Sequence, residues 1–593
     1  MLSLSMQSES SFPHGSKPRC CSSWRVLPTL LFTAVFLFYF YKNSCLSRNI
    51  QTERPIAGII QTPIEHFNSS DDRTFGNRYW MNDTHYEQGG PIFFYDAGEA
   101  GIQSGGGPLR GNRFFAPLEL ARKYHGIAIM WEHRFYGASQ PFPINESTGY
   151  PLIGHEAYTF LTIEQALEDA VYFAVNFNPP GYSEDESRSL RSNSTPWIWI
   201  GGSYPGERAA IIRLRNPEVF FAGWASSAPV ETSINGSVYF NPIHESLPHN
   251  CSADAHAAVK FADDTLMSGT EEEIAILKRA AFFALIATPD HKDLFNNLRI
   301  QKPWTPDGLK EWQVATILIY AFESQLWFQT AGYEGALAPF CNHFETWNPD
   351  FFHGFNTSSP PSALYHNPDD AIPTDEGIAA TYGVEKAFYA FLYASIRKRR
   401  DGQGQRPGWR DQTDLMSWTW QLCSENGKFQ MSDYNANPDT YIISRFYDIR
   451  VLQEGLCKVF HPYAPDVPNI KSLKKYGGWN MQPTNVMWTN GEMDPWRTMG
   501  VHAERNSGSN PDAIDRPRTT KVPRCNEKPK GEQVFGLVYE GAVHCQDLMR
   551  PWDLKKKPVG NGRGMPTNEG MDLFSRALDA WLPCFEGKGR DDL

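Results

Sequence analysis

The chain has 593 residues, 41% of them hydrophobic, with 18 Trp and 38 Phe, enough apolar surface for large buried cores. That excludes a disordered protein, and the absence of a short repeat period excludes a solenoid. With 55 basic against 67 acidic residues the net charge is −12, which argues against nucleic acid as the partner.

The first element sets the compartment. Val26 to Tyr41 is an almost unbroken apolar run, preceded by Lys17, Arg19 and Arg25 and followed by Lys42. It is short for a bilayer span of about 20 residues and long for a signal-peptide core of roughly 7–15. A signal anchor or a cleaved signal is expected, with the basic flank cytoplasmic and the bulk of the chain lumenal. Cys20 and Cys21 precede that run. Cys45, Cys251, Cys341, Cys423, Cys457, Cys525, Cys545 and Cys584 follow it as disulfide candidates of unreadable connectivity. Sequons at Asn68, Asn82, Asn145, Asn193, Asn235, Asn250 and Asn356 agree with a secretory chain.

Beyond a targeting segment at 1–50, strands and helices alternate. Pro91–Tyr95 and Gly126–Trp131 are short apolar runs that end in Gly98-Glu99 and Glu132-His133-Arg134. Thr162 to Gln165 has the form of a capping box, and Ala166, Leu167, Ala170, Val171 and Ala174 follow at helical spacing. Strands are expected at Trp197–Ile200 and Phe220–Ala225, with a helix over Glu207–Arg215 between them. This alternation predicts a mostly parallel sheet. From 231 to 470 helical stretches dominate, at Glu271–Ile286, Trp312–Phe328 and Ile378–Arg399. Strands return at Asn485–Thr489 and Val534–Tyr539, and a closing helix carries Leu573, Phe574, Ala577, Leu578 and Trp581. The expected organisation is one α/β domain, 51–230 and 471–593, interrupted by a helical cap at 231–470.

The chemistry concentrates in Gly201-Gly202-Ser203-Tyr204-Pro205-Gly206, between an apolar strand and a helix. A serine in a tight glycine-flanked strand-to-helix turn is the nucleophile-elbow arrangement. Its hydroxyl would stand at a helix N-terminus, with the Tyr204 amide as one oxyanion donor and the Gly98–Glu99 loop as the source of a second. Pro205 holds the place of the usual second glycine. Such a serine needs a base and an orienting acid, in the order Ser, Asp/Glu, His after late strands. Asp494 and His544 occupy those places, with Glu492 as a competing acid. His502 has no strand before it and reads as a surface residue; His133, ahead of the serine, reads as structural. Gly105-Gly106-Gly107 lacks the residues of a phosphate loop, and no spacing suggests a metal or a cofactor. The basic run Arg397–Arg400 reads as a solvated loop or processing site.

Five segments together resemble the family of lysosomal Pro-X carboxypeptidase, dipeptidyl peptidase II and thymus-specific serine protease. They are His66-Phe67-Asn68 with Phe75–Trp80, Pro91–Tyr95, Glu132–Gly137, Gly201–Tyr204 and Asn490–Trp496. Trp420–Glu425 also resembles that family's cap. The resemblance implies an α/β-hydrolase core, a cap over the site and peptide hydrolysis, often after proline, with Ser203, Asp494 and His544 at the triad positions. The family often carries two adjacent histidines at the last motif; here Val543 takes the first place. The expected activity is that of a serine exopeptidase on short peptides. Trp496, Leu548 and Glu99 are expected to line the substrate pocket, and a second copy of the chain is a candidate partner. An esterase or lipase on the same core, or a non-catalytic ectodomain, are the competing readings.

Overall fold

The computed structural model describes residues 53–102, 106–182, 189–286, 305–321, 337–347, 372–373, 376–400, 412–432, 439, 441–505, 513–550 and 568–585. The apolar segment Val26–Tyr41, Cys45 and Asn356 lie outside the described residues. Among those described, no helix is long and apolar enough to cross a membrane.

The frame is a nine-stranded sheet. In chain order its strands are β1 (Ile56–Pro63), β2 (Thr74–Asn82), β3 (Ile92–Asp96), β4 (Ile127–Trp131), β5 (Trp197–Gly202), β6 (Ala222–Ser226), β7 (Val486–Gly491), β8 (Arg518–Thr519) and β9 (Val534–Tyr539). Their spatial order is β1-β2-β4-β3-β5-β6-β7-β9-β8. From β4 onward every pairing is parallel, and β1 and β2 add an antiparallel edge. A parallel sheet is covered on both faces, so its central strands read as continuous apolar runs. That is why β3 to β7 and β9 were legible. β1 and β2 were not expected: β1, with Ile56 and Ile59 exposed, shows neither an apolar run nor clean alternation.

Helices α1 (Ala116–Tyr124), α2 (Ile163–Asn176) and α3 (Tyr204–Arg215) cover this sheet. α3 begins at Tyr204, three residues before the predicted start, with Pro205 in its first turn, where a missing N–H costs nothing. At α2 only half of the capping box forms. Thr162 Oγ1 accepts the Gln165 amide at 3.2 Å, but the Gln165 side chain turns away to the His66 amide and Glu65.

Between β6 and β7 lie α4 (His249–Ser268), α5 (Glu271–Ile286), α6 (Glu311–Ala321), α7 (Ala338–Phe344), α8 (Ile378–Tyr382), α9 (Val384–Arg400) and α10 (Gln412–Gln421). α4 to α9 share their own core, in which Ala258, Val259, Leu277, Phe388 and Phe391 meet, whereas Met416 of α10 packs with Phe135 and Tyr158. The single helix expected over Ile378–Arg399 is two, because Gly383 at φ 98° breaks it. The basic run to Arg400 lies in α9 rather than in a loop. The closing helix α11 (Glu569–Trp581) buries Leu573, Phe574, Ala577, Leu578 and Trp581 as expected.

Disulfides join Cys251–Cys341, Cys423–Cys457 and Cys525–Cys584. Cys545, expected among the pairs, is a free thiol.

Candidate active site

Ser203 stands between β5 and α3 with φ 64° and ψ −130°, a region that side chains avoid and that turns the hydroxyl out of the chain path. The turn is held by close backbone contact. A Cβ on Gly201 would lie 2.3 Å from the Pro205 carbonyl, and one on Gly206 would lie 2.7 Å from the Ser226 carbonyl. The Ser203 amide donates to Ser226 O at 2.9 Å, tying the elbow to the end of β6. Tyr204 opens α3, so its amide is among the helix N–H groups that have no intrahelical acceptor.

Asp494 and His544 come together from the loops after β7 and β9. Asp494 Oδ1 accepts from His544 Nδ1 at 2.9 Å and from the Trp496 amide at 2.9 Å. Both side chains are buried. Burial opposes the charged form of His544, but the Asp494 charge and hydrogen bond, with the Cys545 thiol, outweigh it and hold the imidazole well above its ordinary value. The loops carrying Ser203 and His544 meet at the end of β6, where the Cys545 amide donates to Ser227 Oγ at 3.0 Å. A Cβ on Gly202 would lie 2.7 Å from Cys545 Sγ.

The other candidate residues have varied surroundings. The Gly98 amide donates to Asp96 Oδ1 at 3.0 Å, so it is engaged rather than open to an oxyanion. Asp96 in turn pairs with Arg208 at 2.7 Å, both fully buried. Leu548 is 2% exposed and belongs to the core on one face of the sheet, beneath Gly202 rather than at a pocket wall. Trp496 is half-buried and packs edge-on against Tyr239, 4.9 Å between ring centroids, at the fringe of the helical core. Glu99 stands half-exposed beyond β3. Glu492 is exposed and accepts the Gly541 amide at 2.7 Å, away from the imidazole. His502, expected at the surface, is buried. Asn82 is buried too, its Nδ2 donating to the Leu109 carbonyl at 2.8 Å, which leaves no room for a glycan; Asn68, Asn145 and Asn235 are exposed.

Two supporting groups stand beside the candidate triad, and Asp547 carried no sequence signal. Asp547 is buried and accepts from Ser226 Oγ at 2.6 Å and Thr489 Oγ1 at 2.5 Å, joining the His544 loop to the ends of β6 and β7. Behind Tyr204, His133 Nδ1 faces its neighbour's carbonyl at 2.7 Å, so it donates there and Nε2 accepts from the Tyr204 hydroxyl at 3.1 Å. The Tyr204 oxygen then accepts from Gln421 of α10 at 2.9 Å. His133 is thus structural, as expected; burial, with Arg208, holds it neutral.

Residues 62–281 and 369–516, more than half of the chain, match the serine carboxypeptidase S28 family. The chain belongs to this family of serine-type peptidases. The thymus-specific serine protease of Mus musculus is 31% identical to this S28 chain over 541 residues, 89% of the chain and 88% of that protein. The "Probable extracellular serine carboxypeptidase" of Arthroderma benhamiae is 26% identical over 491 residues. That match covers 78% of this chain and 62% of the fungal protein, under two thirds of its length. Likeness to solved structures is slight. A dipeptidyl peptidase 4 from Porphyromonas gingivalis has a TM-score of 0.21 at 16% identity, over 30% of this chain and 21% of that chain, and carries no argument. The α/β-hydrolase fold of the S28 chain rests on its sheet order and on family membership.

Proposed function

We propose that this S28 peptidase hydrolyses short peptides through an acyl-enzyme, as an exopeptidase preferring proline or a small apolar residue at the cleaved bond. Ser203 attacks the scissile carbonyl, His544 takes its proton and returns it to the leaving amine, and Asp494 holds the imidazole in one tautomer and stabilises its charge. The Tyr204 amide, at a helix N-terminus, binds the developing oxyanion. The helical region, residues 231–470, serves as the cap that limits entry to short or unfolded peptides.

The observation that carries this reading is the 2.9 Å bond from His544 to Asp494, on loops that meet the strained Ser203 turn at the end of β6. The three disulfides support folding in an oxidising compartment, so we place the chain in the secretory pathway, with glycans at Asn68, Asn145 and Asn235. Val26–Tyr41 would be its signal or its membrane anchor.

A fluorophosphonate probe tests the chemistry. The full chain is expected to label, and Ser203→Ala and His544→Ala are not. No labelling of the folded wild-type chain between about pH 4 and 8 would sink the triad. Cleavage of a peptide library with free and blocked termini then reads the exopeptidase mode; equal cleavage of both sets would refute it.

A further inference from the structure

A carboxylate has two oxygens, and His544 occupies only one of those on Asp494. Oδ2 faces Asn490 Nδ2 at 3.3 Å. Asn490 is the next-to-last residue of strand β7, is 3% exposed, and sends its other amide atom, Oδ1, toward His502 Nδ1 at 3.0 Å. The proton positions follow from chemistry. Ionised Asp494 can only accept, so Asn490 must present its NH2 group to it. The remaining Asn490 oxygen also can only accept, so His502 must carry its proton on Nδ1. His502 is 2% exposed, and among the described residues its Nε2 has no hydrogen-bond partner to compete for that proton. A buried donor and acceptor pair of this kind is costly to break, because each group left alone loses water as well as its partner.

We propose that Asn490 and His502 are positioning residues for the triad: His502 fixes the Asn490 amide, and Asn490 fixes the Asp494 carboxylate facing His544. The inference rests on the assignment of Ser203, Asp494 and His544 above. Neither side chain touches the reacting atoms. Their effect is to stop the carboxylate from rotating, so that Oδ1 stays on His544 Nδ1 while the imidazole gains and loses its proton. Burial, followed by the guanidiniums of Arg518, Arg497 and Arg516, pushes His502 down to about 3, so the ring stays neutral at any pH where a peptidase of this kind works. Arg497 and Arg518 are themselves shared by Glu504, at 3.2 and 2.9 Å, and Arg516 is held by the Trp479, Met481 and Glu532 carbonyls.

The test uses the full chain with Asn490→Ala, His502→Leu and His502→Asn, beside His544→Ala as the inactive reference. Asparagine can place its amide nitrogen where Nδ1 stood; leucine cannot. The readouts are the fluorophosphonate labelling rate, kcat and KM for a small ester, melting temperature, and the downfield proton resonance of the His544–Asp494 bond. Asn490→Ala and His502→Leu are expected to lower kcat and labelling by about 10- to 100-fold with little change in KM, and to shift or broaden the resonance. His502→Asn should restore most of the loss. An undiminished labelling rate and an unmoved resonance in His502→Leu would overturn the proposal. So would equal losses in the Leu and Asn variants that track melting temperature. A wild-type chain that does not label would instead refute the triad assignment beneath it.

Discussion

Glu425 accepts a hydrogen bond from the Ile163 amide at 2.5 Å, linking the π-helical turn after α10 to the first residue of α2. Burial pushes this carboxyl up to about 8, aided by Glu164 and Glu207 and opposed by the Ile163 amide and Lys475. In the unfolded chain the same group titrates near about 4.3. Between those values the native state holds a proton that the unfolded state has released. The contribution to stability is therefore full below about pH 4 and is lost as pH rises toward 8. Burial pushes Asp96 and Asp263 up to about 6, in the same direction. Glu425→Gln keeps an acceptor for Ile163 without the proton. Its melting temperature should fall less than that of wild type between about pH 5 and 8; parallel curves would mean that Glu425 is ionised in the fold.

Gly202→Ala tests the contact between the loops that carry Ser203 and His544. The added Cβ would meet Cys545 Sγ at 2.7 Å and Leu548 Cδ1 at 3.1 Å. Overpacking of this kind costs about 1–3 kcal/mol. Because the displaced loop carries His544, fluorophosphonate labelling should fall by about 10-fold or more. Adding Cys545→Ala should recover part of it. No recovery would place the damage at Leu548 or in the turn itself.

Asp547→Ala should destabilise by about 1–3 kcal/mol, since the buried Ser226 hydroxyl loses its acceptor and Thr489 keeps only the Trp224 indole N–H. The Ser203 amide rests on the Ser226 carbonyl, so labelling should fall as well. Asp547→Asn, which keeps one acceptor, should fall between. Chemical denaturation and labelling rates measured on the same preparations check both effects.

Trp496→Ala separates pocket from packing. The indole touches Tyr239 edge-on, so the variant should lose stability as a half-buried aromatic does. If one face also meets substrate, kcat/KM for a Pro-containing peptide should drop by about 10- to 100-fold, and much less for a small ester. Equal losses on both would assign Trp496 to packing alone.

Sequence by itself determined the parallel frame and the order of Ser203, Asp494 and His544 along it. Strands buried on both faces need continuous apolar runs, and residues at strand ends, the proposed triad among them, follow in the order in which the chain visits the sheet. Local chemistry also decided part of the elbow, since Gly201 has no room for a Cβ beside the Pro205 carbonyl. What only the tertiary structure decided is which polar atoms found which partners. The burial of His502 and Asn82, the engagement of the Gly98 amide, the free thiol of Cys545 and the anchoring of Asp547 depend on groups far apart in the chain or on the direction of one side chain. Hydrophobic periodicity records which face of an element is covered. It carries no record of a polar side chain's partner, because that choice is made by packing after the elements have met.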